Sequence, residues 1–267
     1  MGSCIDFAVV AGATITNSGF SYIDGDLGLS PGSAVVGFPP GEISGTMHVT
    51  DSIAAACMSD LAIAIADANS RPADATMSGE LGGMTLAPGV YKSDSGFAIT
   101  NTLYLDGQND PDAAWIFIMA TTLTVNTGAS VVMKNYDNNV GVNVWWSVSE
   151  RADIFSNAAM QGTVMATQSI ATQDGASSGP LMANIGEVTL LSNVVSAYNS
   201  TKFPVPSSSS SDDSTTLSDG AIAGIVIGGV VFIAIVAGLI WFFLFSAGAS
   251  GAAYSAPAAE PVGMTPV

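Results

Sequence analysis

Residues 115–130 read WIFIMATTLTVNTGAS, and residues 166–177 read ATQSIATQDGAS. Both set aliphatic residues beside short hydroxyls, turn at a glycine and contain no lysine or arginine. The neighbouring segments repeat. PLMA (180–183) follows TVMA (163–166) by 17 residues, EVTLLSN (187–193) follows SIATQDG (169–175) at nearly the same interval, and ADIFSNA (152–158) precedes SIATQDG by 17. A unit this short cannot bury an apolar face alone, whereas stacked coils make a continuous core. The pattern predicts a β-solenoid with three short strands per coil. Its inward residues are expected to be Ile118, Leu123, Val125, Val144, Ile154, Val164, Ile170, Leu181 and Val188. A β-sandwich is the alternative, but it needs hairpin turns between neighbouring strands, which this period suits less well.

One segment is helical in character. Asp51 is placed to cap SIAAACMSDLAIAIADANS, which runs to Arg71-Pro72. The spacing predicts a helix over 51–69 with Ile53, Cys57, Leu61 and Ile65 as one apolar stripe.

Composition excludes several functions. Charged residues make up 10% of the 267, the five cations are Arg71, Lys92, Lys134, Arg151 and Lys202, and the net charge is −17. Nucleic acid as a partner is therefore excluded, because phosphate binding needs lysine and arginine. So is electrostatic attachment to anionic lipid. With His48 the only histidine, neither a histidine-rich metal site nor a histidine triad is available. No calcium-loop pattern occurs, and no cofactor or small-molecule substrate is expected. Cys4 and Cys57 form either one disulfide or two separate buried thiols.

The C-terminal quarter changes character. Residues 203–219, FPVPSSSSSDDSTTLSD, cannot bury enough apolar surface to fold and read as a stalk. Residues 221–245, AIAGIVIGGVVFIAIVAGLIWFFLF, are 25 residues without a charge, enough to cross a hydrocarbon core of about 30 Å as a helix. Their length and all-round apolarity favour a single membrane span over a buried core helix. The expected layout is a globular domain (1–200), a stalk (201–219), a transmembrane helix (221–245) in the lipid bilayer and a short tail (246–267). The N-terminus, MGSCIDFAVVAG, lacks the basic start of a signal peptide. Asn199-Ser200-Thr201 is an N-glycosylation sequon, which favours an extracellular or lumenal domain.

GDLGLSPGSAVVGFPPGEISGTMH (25–48), the alanine-rich helix, LGGMTLAPGVYKSDSGFAIT (81–100) and LYLDGQNDPDAAWIFIM (103–119) follow in an order that resembles the microbial ice-binding proteins of cold and sea-ice habitats. FAVVAGATITNSG (7–19) and VNVWWSVSERADIF (142–155) extend the likeness over roughly residues 6–195. The resemblance implies a mainly β chain: a right-handed, discontinuous β-helix of triangular section with one long helix alongside. The N-terminal strand is expected beside the last coils, and the binding surface on one flat β-face. It also implies ice as the partner and no catalysis. The family's Thr-Gly/Ala-x-Thr/Asn pattern reads here Thr127-Gly128-Ala129-Ser130.

Ice presents donors and acceptors without net charge, so a side chain that holds its own hydration shell docks poorly against it. Threonine offers a hydroxyl beside a methyl and is stiff at χ1, so little entropy is lost on docking. The candidate contacts are Thr122, Thr124, Thr127 and Ser130 in one coil, Ser169, Thr172 and Ser177 in another, Thr189 near the end, and Thr14 and Thr16 on the N-terminal strand. Asp153, Phe155 and Asn157 interrupt this pattern. Two other readings compete. An adhesion or polysaccharide-binding module would display exposed aromatics, but Trp115, Trp145 and Trp146 lie in apolar runs, at least two of them expected in the core. A pectin-degrading enzyme would need clustered carboxylates near cations, whereas Asp110/Asp112 and Asp212/Asp213 read as solvated loop charges.

Overall fold

The computed structural model describes residues 2–136 and 143–197. Its strands form three sides around one core, and among the described residues every strand pairing is parallel, so the chain coils rather than doubling back in hairpins. Face A orders Met47–Val49, Asp26–Leu29, Phe7–Ala11, Leu181–Ala183, Thr163–Ala166, Val144–Val148, Trp115–Met119, Gly89–Ser93 and Ala75–Thr76. Face B orders Ala34–Val36, Thr14–Ser18, Val188–Leu191, Ser169–Thr172, Arg151–Ile154, Leu123–Val125, Phe97–Ile99 and Gly79–Glu80. Face C has two groups: Thr85–Leu86, Thr102–Asp106 and Ser130–Lys134, then Ser177–Ser178, Val194–Ser196, Tyr22–Asp24 and Glu42–Ile43. Ala159 bridges Ser130 to Ser177 and joins them.

Stacking order and chain order differ. Phe7–Ala11 pairs with Asp26–Leu29 on one side and Leu181–Ala183 on the other, so the first coil rests on the last. Between the first coils and the rest runs the helix α1 (Ser52–Ser70). It packs along face A, against the first coils and also against Trp115–Met119 and Val144–Val148, and so carries the chain to the far end of the stack. Asp51 caps it, accepting from the backbone N–H of Ile53 at 3.0 Å and of Ala54 at 2.8 Å. Among the described residues α1 alone has the length and apolarity to cross a bilayer; one side of it is packed on face A.

The interior is filled as the alternation requires. Leu123, Val125, Val144, Ile154, Val164, Ile170, Leu181 and Val188 all lie in the main core, and so do Trp115 and Trp146, both fully buried. Ile118 is a correction. It is buried, but its register partner is Ser147, which in turn pairs with Met165 of the helix-side cluster. The inward residues of its strand are Trp115, Phe117 and Met119.

The helix stripe needs a correction too. Ile53 is 50% exposed, and the buried side is Ala54, Cys57, Leu61, Ile65 and Ala68. Steps of four overshoot a 3.6-residue turn, so a strict i+4 ladder rotates off the face, while mixed steps of three and four stay on it. Cys4 and Cys57 are joined as a disulfide, with Cα atoms 4.7 Å apart. The stalk, the span at 221–245, the tail and Asn199 lie outside the described residues.

Candidate functional site

On face B the odd and even positions of each strand part company. Ile15, Val188, Ile170, Ala152, Leu123 and Phe97 point inward in one row. The next residue of each strand points outward, so the register sets Thr16, Thr189, Ala171, Asp153, Thr124 and Ala98 side by side. Parallel strands lie about 4.8 Å apart, which makes this row a ruler with that spacing. All six are half-buried, since each leans on its neighbours across the ladder.

A second outward row runs beside the first. Ser169 stands opposite Arg151, and Thr14 Oγ1 lies 3.5 Å from Glu187 Oε2. Thr122 precedes Leu123, whose partner Ala152 follows Arg151, so Thr122 belongs to this row as well. Ser18 and Leu191 pair at the opposite margin. Six of the sequence candidates therefore share one sheet: Thr14, Thr16, Thr122, Thr124, Ser169 and Thr189.

The other four do not. Thr172 is 4% exposed, pairs with inward Ile154, and donates to the backbone carbonyl of Thr189 at 3.2 Å and to Asn193 Oδ1. Ser169 and Thr172 are three apart on one strand, and period-two alternation sends them to opposite sides. Thr172 is thus a structural residue and not a surface contact. Thr127 is exposed in the turn between faces B and C, and Ser130 begins the face C strand, bonding Thr102 Oγ1 at 3.1 Å. Ser177 is also on face C. The recurring glycine turn explains this. Gly128 and Gly175 have φ of 71° and 73°, a left-handed corner that L side chains avoid, so hydroxyls before and after it fall on different faces.

Two outward residues escaped a search for hydroxyls alone, Ala98 and Ala171. Their signal was parity with Ser169 and Thr124, which needs the pairing register. That register is 18 residues where Ala152 meets Ile170 and 17 where Val164 meets Leu181. Asp153 does interrupt the row, and its carboxylate accepts from Arg151 Nε at 2.7 Å.

Among the described residues, the three carboxyl groups held below the ordinary carboxylate range lie elsewhere: Asp51 at the helix cap, Asp60 bonded to Ser3, and Asp106 on face C. Among the described residues no three His, Cys, Asp or Glu converge as metal ligands. A cleft of about 450 Å³ opens between α1 and face A, lined by Ala64, Ile116, Trp145 and Met165 with Arg71 and Asp67 at its rim. It does not touch face B.

The sequence profile of the Ice-binding-like family matches residues 9–196. An ice-binding protein of Nostoc sp. (strain HG1) is 35% identical over 199 residues, covering 73% of each chain. A crystal structure of an ice-binding protein from an Antarctic biological consortium is 40% identical with a TM-score of 0.70, covering 73% of this chain and 89% of that one. The ice-binding protein of the Antarctic ascomycete Antarctomyces psychrotrophicus superposes with a TM-score of 0.71 at 32% identity, over 74% of this chain and 98% of that one. A mainly β chain of parallel sheets with one helix is shared with these solved structures, and the chain belongs to the ice-binding-like family.

Proposed function

We propose that this protein adsorbs to ice through face B and so restrains ice growth and recrystallisation. The observation that supports it is the shared sheet of Thr14, Thr16, Thr122, Thr124, Ser169 and Thr189, whose spacing is set by backbone pairing rather than by flexible loops. Each hydroxyl–methyl contact with ice is weak, and many engaged at once hold by avidity. Ice then advances only as curved fronts between anchored molecules, which lowers the local freezing point.

We further propose that residues 221–245 tether the domain to a bilayer, with the stalk giving it reach. The buried disulfide supports an oxidising, extracytoplasmic setting for the domain, because such bonds persist there. Introducing tyrosine at Thr124 and Thr189 tests the ice reading. The double variant should lose thermal hysteresis and recrystallisation inhibition, while Ser130→Tyr on face C should keep both; full activity in the face B variant would refute the assignment.

A further inference from the structure

Face B carries a closed ion pair in its middle. Arg151 and Asp153 project from the same side of one strand, with Nε and Oδ1 2.7 Å apart. That strand lies between Leu123–Val125 and Ser169–Thr172, so Asp153 separates Thr124 from Ala171, and Arg151 stands next to Ser169. The hydroxyls of Thr122 and Thr124 are thereby divided from those of Ser169, Thr189, Thr16 and Thr14. Resting on the ice reading of face B, we infer that the Arg151–Asp153 pair sets the strength of ice adsorption. It caps the affinity of the plane while keeping the cation from spoiling it.

Two physical effects act together. Side-chain exposure is 51% for Arg151 and 31% for Asp153, so both hold water that is ordered around charge and must be displaced or accommodated when ice arrives. Two threonines in their place would remove the charge between Thr124 and Ala171 and between Thr122 and Ser169, leaving Glu187, level with Ser169 and Thr14, as the remaining acid of the second row. The pair is nevertheless better than either member alone. Bonded to Asp153, the long arginine stem is drawn along the strand; without that carboxylate it is free to stand above a plane of short side chains with its charge uncompensated. Asp153 without Arg151 is short but likewise uncompensated.

The test compares the double variant and one single variant with the wild type in the full chain, with thermal hysteresis measured at matched concentrations and melting temperature as the folding check. Arg151→Thr/Asp153→Thr should raise hysteresis by about twofold, as expected when two separate patches become one larger set of simultaneous contacts. Asp153→Thr alone should fall below the wild type. A double variant at or below wild type, folded, overturns the inference, and so does a folded Asp153→Thr at or above wild type. Thr124→Tyr is assayed alongside. If it too retains activity, the ice reading of face B has failed; if it loses activity while the double variant gains none, only the role of the pair has failed.

Discussion

The backbone N–H of Asn193 donates to Ser21 Oγ at 3.0 Å, joining the last coil to the first across a sequence separation of 172 residues. Ser21 Oγ in turn donates to Asn17 Oδ1, and Asn17 Nδ2 reaches the carbonyl of Gly37 at 2.8 Å in the coil beyond. In the other direction Asn193 Oδ1 accepts from Thr172 and from Leu191 N, and its Nδ2 donates to Gln173 O at 2.6 Å. Asn17, Ser21, Thr172 and Asn193 are all buried. The first and last described coils are thus zipped by a satisfied polar ladder, which locks register where no covalent continuity does.

Asn193→Ala should therefore act on stability. It strips several hydrogen bonds and leaves Thr172 Oγ1 and Leu191 N without this acceptor, at a cost of about 2–4 kcal/mol. Urea unfolding would measure it; a midpoint equal to wild type would contradict the ladder's importance.

Thr172 and Ser169 sit three residues apart and should respond in opposite ways. Thr172→Val removes a buried donor bond and should lower stability by about 1–2 kcal/mol with hysteresis kept. Ser169→Tyr raises a bulky ring from face B and should cost hysteresis with melting temperature kept.

The disulfide ties the N-terminal segment to α1 over a separation of 53 residues, just before the strand by which the first coil rests on the last. Cys4→Ser/Cys57→Ser should lose about 2–4 kcal/mol of stability, mainly through a freer unfolded chain. The same loss should follow reduction of the wild type with dithiothreitol in a melting experiment. A reduced protein that melts with the oxidised one would argue against this clamp.

Acid should weaken the helix end of the molecule. Asp51 is held below the ordinary carboxylate range by the Ala54 N–H, and then by its hydrogen bond with His48. Asp60 is held down by the Ser3 N–H and hydroxyl. A depressed native pKa stabilises the fold above the unfolded value of about 4. That contribution is lost as pH falls through the lower native value. Melting temperature should thus be steady from pH 7 to about 5 and decline below about 4, and Asp51→Asn should flatten part of the decline.

Much of the architecture could be read from residues alone. Gly-punctuated runs too short to fold singly require stacking, Asp51 and Arg71-Pro72 bracket the helix, and alternation assigned eight of nine inward positions. Local pattern sets these, because side-chain direction follows from backbone period. The membership of face B could not be read the same way. Thr172 turned inward, Ser130 and Ser177 rounded a left-handed glycine corner, and Ala98 and Ala171 joined the row unannounced. Which residues stand level depends on strand register, and a slip of one residue sends a side chain to the opposite side of its sheet. Register is fixed only when distant coils pair, as Asn193 does with Ser21, and the fold alone decides it.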